Sequence, residues 1–427
     1  MALTTFQSFK SRNFRLFFMG QSVSLLGTWM QKTAVSWVIY SLTQSKFMLG
    51  VSVFATLFPT AMFSILGGIT ADRYNRYRIL LITQILSLVQ AILLTLAVIF
   101  FEEDTVWAII GLSAILGIIN GFDVPARQSL VRELVPNKTD LPNALALNSS
   151  MVNLSKLLGP ALAGFILETF GDQVCFGLNA VSFLAVIISL LQMRLPKDNP
   201  VLTEETNRLD DLKNGFKYIK RNSVIYSVIV YVALMSFFVL PFTTLTPVFA
   251  KDIFRGNATT LGIIDGVIGL GAFVGALFLA SLKKGTNLSR ILAINTLIFG
   301  VGLVLFSQTP QFGLALVFIT IAAFGMMSVR TLSNTIIQLQ VTNQYRGRVI
   351  SIYIMVLTAM MPLGSLLTGA ISHYIGVQNT VLIHGCIGIL VALIFGKYLK
   401  KQKLKAKNKA KELALVESTT DVVLPRL

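Results

Sequence analysis

Charge is the first shortage in this sequence. Asp, Glu, Lys and Arg make up 13% of its 427 residues, roughly half the share found in soluble globular chains. With 54% hydrophobic residues, such a chain cannot cover its surface with polar groups, so its surroundings are largely lipid. Cysteine is nearly absent. Cys175 and Cys386 both fall inside apolar runs, which excludes a disulfide framework or metal-ligand spacing. Histidine is limited to His373 and His384, so no His/Cys/acid cluster offers a metal or catalytic site, and an enzyme is not expected. No glycine-rich phosphate loop is present, which argues against an ATP-driven pump and leaves no cofactor to expect. No cleavable signal is expected either, because the first apolar run begins near Leu16 and is too long for a signal-peptide core.

What the sequence has in abundance is long apolar runs. They fall at 16–40, 46–67, 79–101, 105–126, 143–167 and 174–193, and resume at 223–250, 259–281, 289–307, 312–334, 349–372 and 377–397. Each can cross ~30 Å of hydrocarbon as a helix. Barrel strands would be shorter and alternating, so the expected fold is an all-α polytopic membrane protein with twelve spans.

The basic excess, +17 net, is a matter of topology. With the N-terminus inside, only Lys46, Lys251 and Arg255 fall in outer loops, and Lys32 and Lys156 lie within spans. The remaining Lys and Arg fall inside, Arg330 among them. This bias sets both termini in the cytosol of a cell (inner) membrane and removes the need for a nucleic-acid partner. The expected partners are a small-molecule substrate, membrane lipid and protons, for a monomer.

The expected domains are a six-helix bundle at 1–193, a cytoplasmic connector at 194–222, a second six-helix bundle at 223–398 and a basic tail at 399–427. In the connector, Leu209, Leu212, Phe216 and Ile219 recur at helical spacing, with Asp210 and Asp211 early and Lys217, Lys220 and Arg221 late. That pattern predicts an amphipathic helix lying on the membrane or against the cytoplasmic helix ends. Internal repetition supports two equivalent halves. Shifted by about 205 residues, Gly159 to Gly164 falls on Gly364 to Gly369; shifted by about 212, Leu49-Gly50 falls on Leu261-Gly262.

The loop after the second span reads Gly68-Ile-Thr-Ala-Asp72-Arg73-Tyr-Asn75-Arg76-Tyr-Arg78. It resembles the signature loop of the major facilitator superfamily, with Asn75 where the family usually has a second Gly; Asn also tolerates the left-handed conformation. Three further stretches resemble the branch that holds siderophore and macrolide exporters: Asn120-Gly-Phe-Asp123-Val-Pro-Ala-Arg127-Gln, the opening Phe14 to Gln31, and Gln344-Tyr-Arg346-Gly-Arg348. The resemblance implies a major facilitator fold in which Gly68 allows close helix approach. It implies that Asp123 pairs with Arg73 or Arg127, and that Asp72, Arg73 and Asp123 latch against the start of the eleventh span. Gly159-Pro160-Ala-Leu-Ala-Gly164 resembles the glycine–proline motif of antiporters in this superfamily. Where its proton-coupled drug exporters carry an arginine in the fourth span, this chain has Gly117.

Ionisable groups inside spans are costly and mark function. Lys32 and Asp265 lie at similar depth and could meet across the two halves, or Lys32 could attract an anionic substrate or snorkel outward. Gln21, Thr28, Lys32 and Ser36 share one face of the first span, which is expected to line a cavity, with Gln31, Asn120, Asn153 and Lys156 also candidates. Asp265 is the candidate proton carrier, a static ion pair with Lys32 being the alternative. Tyr231, Phe324 and Tyr353 are candidates for an apolar wall, with helix packing as the plainer reading. The function expected is secondary active export of an amphipathic small molecule by alternating access, with nutrient uptake on the same fold as the alternative.

Overall fold

The computed structural model describes residues 4–101, 104–135, 137–194, 208–283 and 285–398. The basic tail expected at 399–427 and the connector residues 195–207 lie outside the described residues. Among those described, every long element is a helix, as backbone in hydrocarbon requires. The first bundle comprises α1 (Arg12–Thr43), α2 (Lys46–Arg73), α3 (Arg76–Phe100), α4 (Thr105–Glu133), α5 (Leu141–Phe170) and α6 (Asp172–Leu191). The connector contributes α7 (Arg208–Arg221). The second bundle comprises α8 (Ser223–Ile253), α9 (Ala258–Ala280), α10 (Leu288–Gln308), α11 (Phe312–Gln340), α12 (Arg346–Ile375) and α13 (Val377–Tyr398). Eleven of these are long and apolar enough to cross a membrane. The twelfth span is α1, whose 32 residues carry a polar stripe instead.

Several helices outrun their apolar runs. α4 continues to Glu133 and α11 to Gln340, because helical hydrogen bonding does not stop where hydrocarbon does. α8 is a bent span. Its middle tightens to a 3₁₀ turn at Leu240–Leu245 and its end widens to a π turn at Phe249–Ile253. Pro241 and Pro247, which lack N–H donors, account for the interruption.

Within the first bundle α1 packs on α5 and α6, α2 on α4, and α3 on α4 and α6. Within the second, α8 packs on α11 and α12, while α11 also carries α9 and α10. The halves meet along two seams, α5 against α9 and α2 against α12. The internal repeat maps onto these seams. A Cβ on Gly164 would lie 3.0 Å from Gly262 Cα, and one on Gly369 would lie 3.3 Å from Gly50 Cα. The two seam contacts are therefore made by repeat-equivalent glycines, which permit backbones to touch. Repeat-equivalent Gly171 and Gly376 also end α5 and α12 in the same left-handed turn, both at φ 84°.

The connector helix docks on protein. Ile219 is buried, the Tyr218 and Tyr345 rings stack with centroids 4.5 Å apart, and Thr342 N–H donates to Tyr218 Oη at 3.3 Å. A Cβ on Gly215 would lie 2.8 Å from Ile352 Cδ1. α7 thus lies along the start of α12 while Phe216 stays exposed. Of the two expected placements, the helix ends rather than open membrane take it. The side chains of Leu209, Asp210, Asp211 and Leu212 lie outside the described residues.

Candidate functional site

Both ends of the described chain and the arginine-rich loops share one end of the bundle, the basic end. Here α2 and α4 cross. A Cβ on Gly67 would overlap the Gly121 carbonyl, whereas one on Gly68 would meet nothing within 4 Å. The close approach expected of Gly68 is therefore made by its neighbour. Gly68, Ala71 and Asp72 line an open groove with Pro125, Gln128 and Arg132. Asp72, Arg73 and Arg78 are exposed, while Arg76 pairs with Glu133 and donates from Nε to the Ala71 carbonyl at 3.0 Å. Asn75 has φ −61° and N-caps α3, accepting from Arg78 N–H at 3.0 Å. Its role is a cap, and the left-handed conformation that Asn tolerates is not used.

Asp123, 4% exposed, accepts from Gln84 Nε2 at 2.6 Å and Thr83 Oγ1 at 3.0 Å, and pairs with Arg127 at 3.4 Å. Those partners belong to α3 and α4, so the carboxylate is held inside the first bundle. Between the two partners offered by the resemblance, Arg127 and not Arg73 takes it. Farther along α4, a Cβ on Gly117 would overlap the Thr56 carbonyl of α2. Glycine stands there because two backbones touch, and that packing leaves no room for an arginine.

The glycine–proline segment of α5 serves two contacts. Gly159 faces α1, where a Cβ would lie 2.5 Å from Trp29 Cβ; Pro160 and Gly164 face α9 across the seam, with a Cβ on Gly262 lying 2.6 Å from the Pro160 carbonyl. The seams are shut from the end opposite the termini to about mid-bundle. Gly369 sits over the Lys46 carbonyl at 2.7 Å and Gly269 over Leu157 Cα at 2.8 Å, both measured from an added Cβ. A polar pair closes the same far end. Tyr40 Oη donates to Asp252 Oδ2 at 2.5 Å, and Lys251 Nζ lies 5.9 Å from the centroid of Trp37. Nothing in the sequence pairs Tyr40 with Asp252; a lone acid near the end of an apolar run is the signal available.

Beneath that closure lies the charged centre. Lys32 and Arg330 are exposed although both sit well inside their helices, and they interact with each other from opposite halves, so both face the space between the halves. Lys32 Nζ and Lys156 Nζ lie 4.7 and 5.4 Å from the centroid of the same Trp29 ring. Lys32 interacts electrostatically with Asp265 and Arg330, and Lys156 with Arg330 and Lys32. Tyr353 Oη donates to the Arg330 carbonyl at 2.8 Å. Counting Arg330 with the inside loops misplaces it: α11 continues past it to Gln340, and the arginine belongs to the cavity. An arginine within an apolar run was the available signal.

Other candidates lie elsewhere. Gln21 is 1% exposed and packed between helices. Gln31 is buried, accepting from Asn179 Nδ2 at 2.6 Å and donating to Gln90 at 3.4 Å. The Gln21–Ser36 face is therefore split, with Lys32 exposed and Gln21 inside the first bundle, where the separate candidate Gln31 also lies. Thr28 bonds back to the Ser24 carbonyl at 2.8 Å. Tyr231 is buried, bonded to Thr296 Oγ1 at 2.5 Å and stacked on Phe395 at 4.6 Å. It is core, not cavity wall. Asn120, Asn153 and Phe324 are half-buried, and Phe324 leans on Phe278 with centroids 5.4 Å apart.

Comparison with known proteins agrees along the whole chain. The family described as transmembrane secretion effector matches residues 3–425. The staphyloferrin A transporter of Staphylococcus aureus is 27% identical over 92% of this chain and 97% of its own length. Macrolide efflux protein A of Streptococcus pyogenes is 24% identical over 91% of this chain and 96% of its own. The enterobactin exporter of Shigella boydii is 27% identical over 79% of each. Among solved structures, a bacterial homologue of the human lysosomal transporter Spinster, inward-facing and unoccupied, superposes with a TM-score of 0.71. It is 14% identical and covers 93% of this chain and 97% of that one.

Proposed function

We infer function from one premise: the chain belongs to the transmembrane secretion effector family, within the major facilitator superfamily of transporters. It is a membrane transporter rather than an enzyme. We propose that it exports an amphipathic small molecule by alternating access, with the basic end in the cytosol. The observation that carries this reading is the far end shut along both seams above exposed mid-bundle charges. A cavity closed on one side and lined by side chains from both halves suits rocking of the halves about a central site. Export is favoured over uptake because the relatives include proteins named for efflux of macrolides and export of enterobactin.

Vesicle sidedness tests the direction. Substrate accumulates in energised everted vesicles if the protein exports; accumulation only in right-side-out vesicles overturns export. Tyr40→Cys with Asp252→Cys tests the mechanism, because these side chains meet at 2.5 Å across the far end. In a Cys386→Ser background, a short bis-methanethiosulfonate crosslinker locks the far end and stops transport, and reductant restores it. Transport undiminished by the crosslink overturns alternating access at this closure. We further propose that Asp265 couples transport to protons. Asp265→Asn then removes the response to an imposed pH gradient, and an unchanged response returns Asp265 to a static partner of Lys32.

A further inference from the structure

We propose that the central cavity binds an organic anion with at least two separated acid groups, held by Lys32, Lys156 and Arg330 around the face of Trp29. This deepens the export reading above and rests on it for the statement that the bound molecule is cargo.

The argument begins with cost. Three cations sit at mid-bundle, where each is expensive unless paired. Asp265, the acid that interacts with Lys32, supplies one negative charge. The cluster therefore keeps an excess of positive charge. The three cations repel one another: Arg330 acts on both lysines and the lysines act on each other. A purely structural role would be served by fewer charges or by matched ones. Repulsion maintained across three helices is explained by a ligand that supplies the missing negative charge.

Geometry narrows the ligand. The lysines come from α1 and α5 of the first half, and Arg330 from α11 of the second. The two ammonium groups lie over one indole ring, so a ligand that reaches both lysines also comes against an aromatic side chain. Arg330 presents a forked donor matched to a carboxylate, and both it and Lys32 are exposed. Acid groups spaced along a carbon frame can engage cations on different helices together, whereas a compact single anion cannot. Because the cations belong to both halves, the ligand also draws the halves together when it binds.

The test uses the purified full-length protein with citrate as probe, against acetate, inorganic phosphate and glycerol at fixed ionic strength. Trp37→Phe and Trp107→Phe leave Trp29 as the sole tryptophan reporter. Citrate is expected to change Trp29 fluorescence saturably and to raise Tm, with acetate and glycerol inert and phosphate much weaker. Lys32→Gln, Lys156→Gln and Arg330→Gln are each expected to weaken citrate by about tenfold, while Lys32→Arg retains the response and confirms that charge matters. Without ligand, Lys156→Gln is expected to raise Tm, because the charges acting on Lys156 are Arg330 and Lys32, with no acid beside it; this readout survives if any one ligand variant folds poorly. A response absent for citrate, equal for phosphate, or unchanged in the Gln variants overturns the proposal. Vesicle sidedness is read with whatever substrate is moved, so failure of the anion site leaves the direction of transport standing, and reversed sidedness leaves the anion site standing.

Discussion

At the scale of single residues, chemistry and position separate similar side chains. Asp72 and Asp123 both belong to signature stretches, yet one is exposed and the other is enclosed by Thr83, Gln84 and Arg127. A buried carboxylate with charge-assisted partners stabilises the bundle that holds it. Asp123→Asn is expected to destabilise the protein by about 2 kcal/mol, the usual value for hydrogen bonds to a charged group. A lowered Tm in detergent, without a matching change in citrate affinity, checks this. The residues carrying the strongest motif were legible in the sequence. Their partners were not, since Thr83 and Gln84 look like ordinary polar residues of an apolar span. Arg330 shows the converse: its chemistry was visible, but its depth depended on how far α11 continues.

At the scale of elements, glycines decide which helices touch. Gly67 and Gly68 are adjacent on α2, and a helix turns about 100° per residue, so they face different neighbours. Gly67→Ala forces a Cβ into the Gly121 carbonyl and is expected to cost about 1–3 kcal/mol, as overpacking does. Gly68→Ala meets open space and is expected to leave Tm unchanged. Thermal unfolding of the two variants distinguishes them. A motif read as a string names the glycine pair without saying which one bears the contact. The connector helix teaches the same lesson. Its amphipathic pattern announced an apolar face, and the presence of Gly215 and Tyr218 against α12 settled what covers it.

At the scale of the whole molecule, the seams give the protein its logic. Equivalent glycine pairs, Gly164 with Gly262 and Gly369 with Gly50, close the far end on both sides of the cavity, and Tyr40 with Asp252 closes it between α1 and α8. Duplication makes such pairing natural, because one packing solution is used twice. The proposed orientation puts the basic end in the cytosol, following the placement of Lys and Arg. Reporter fusions check it: a periplasm-active phosphatase joined within the connector is expected to be inactive, and one joined between α1 and α2 to be active. The reverse pattern overturns the orientation.

The sequence alone determined the class of solvent, the number of spans, the halves and the family resemblance. These follow from composition, run length and local motifs, which need no knowledge of neighbours. Only the tertiary structure decided that Asp123 serves its own bundle, that Tyr231 is core, that Gln31 bonds to Asn179, and that Lys32, Lys156 and Arg330 come within reach of one another. Each of those depends on which helix face meets which. In lipid, apolar sequence tells a helix to form, but gives little indication of the direction in which it should turn, since hydrocarbon and a neighbouring helix are nearly equivalent surroundings.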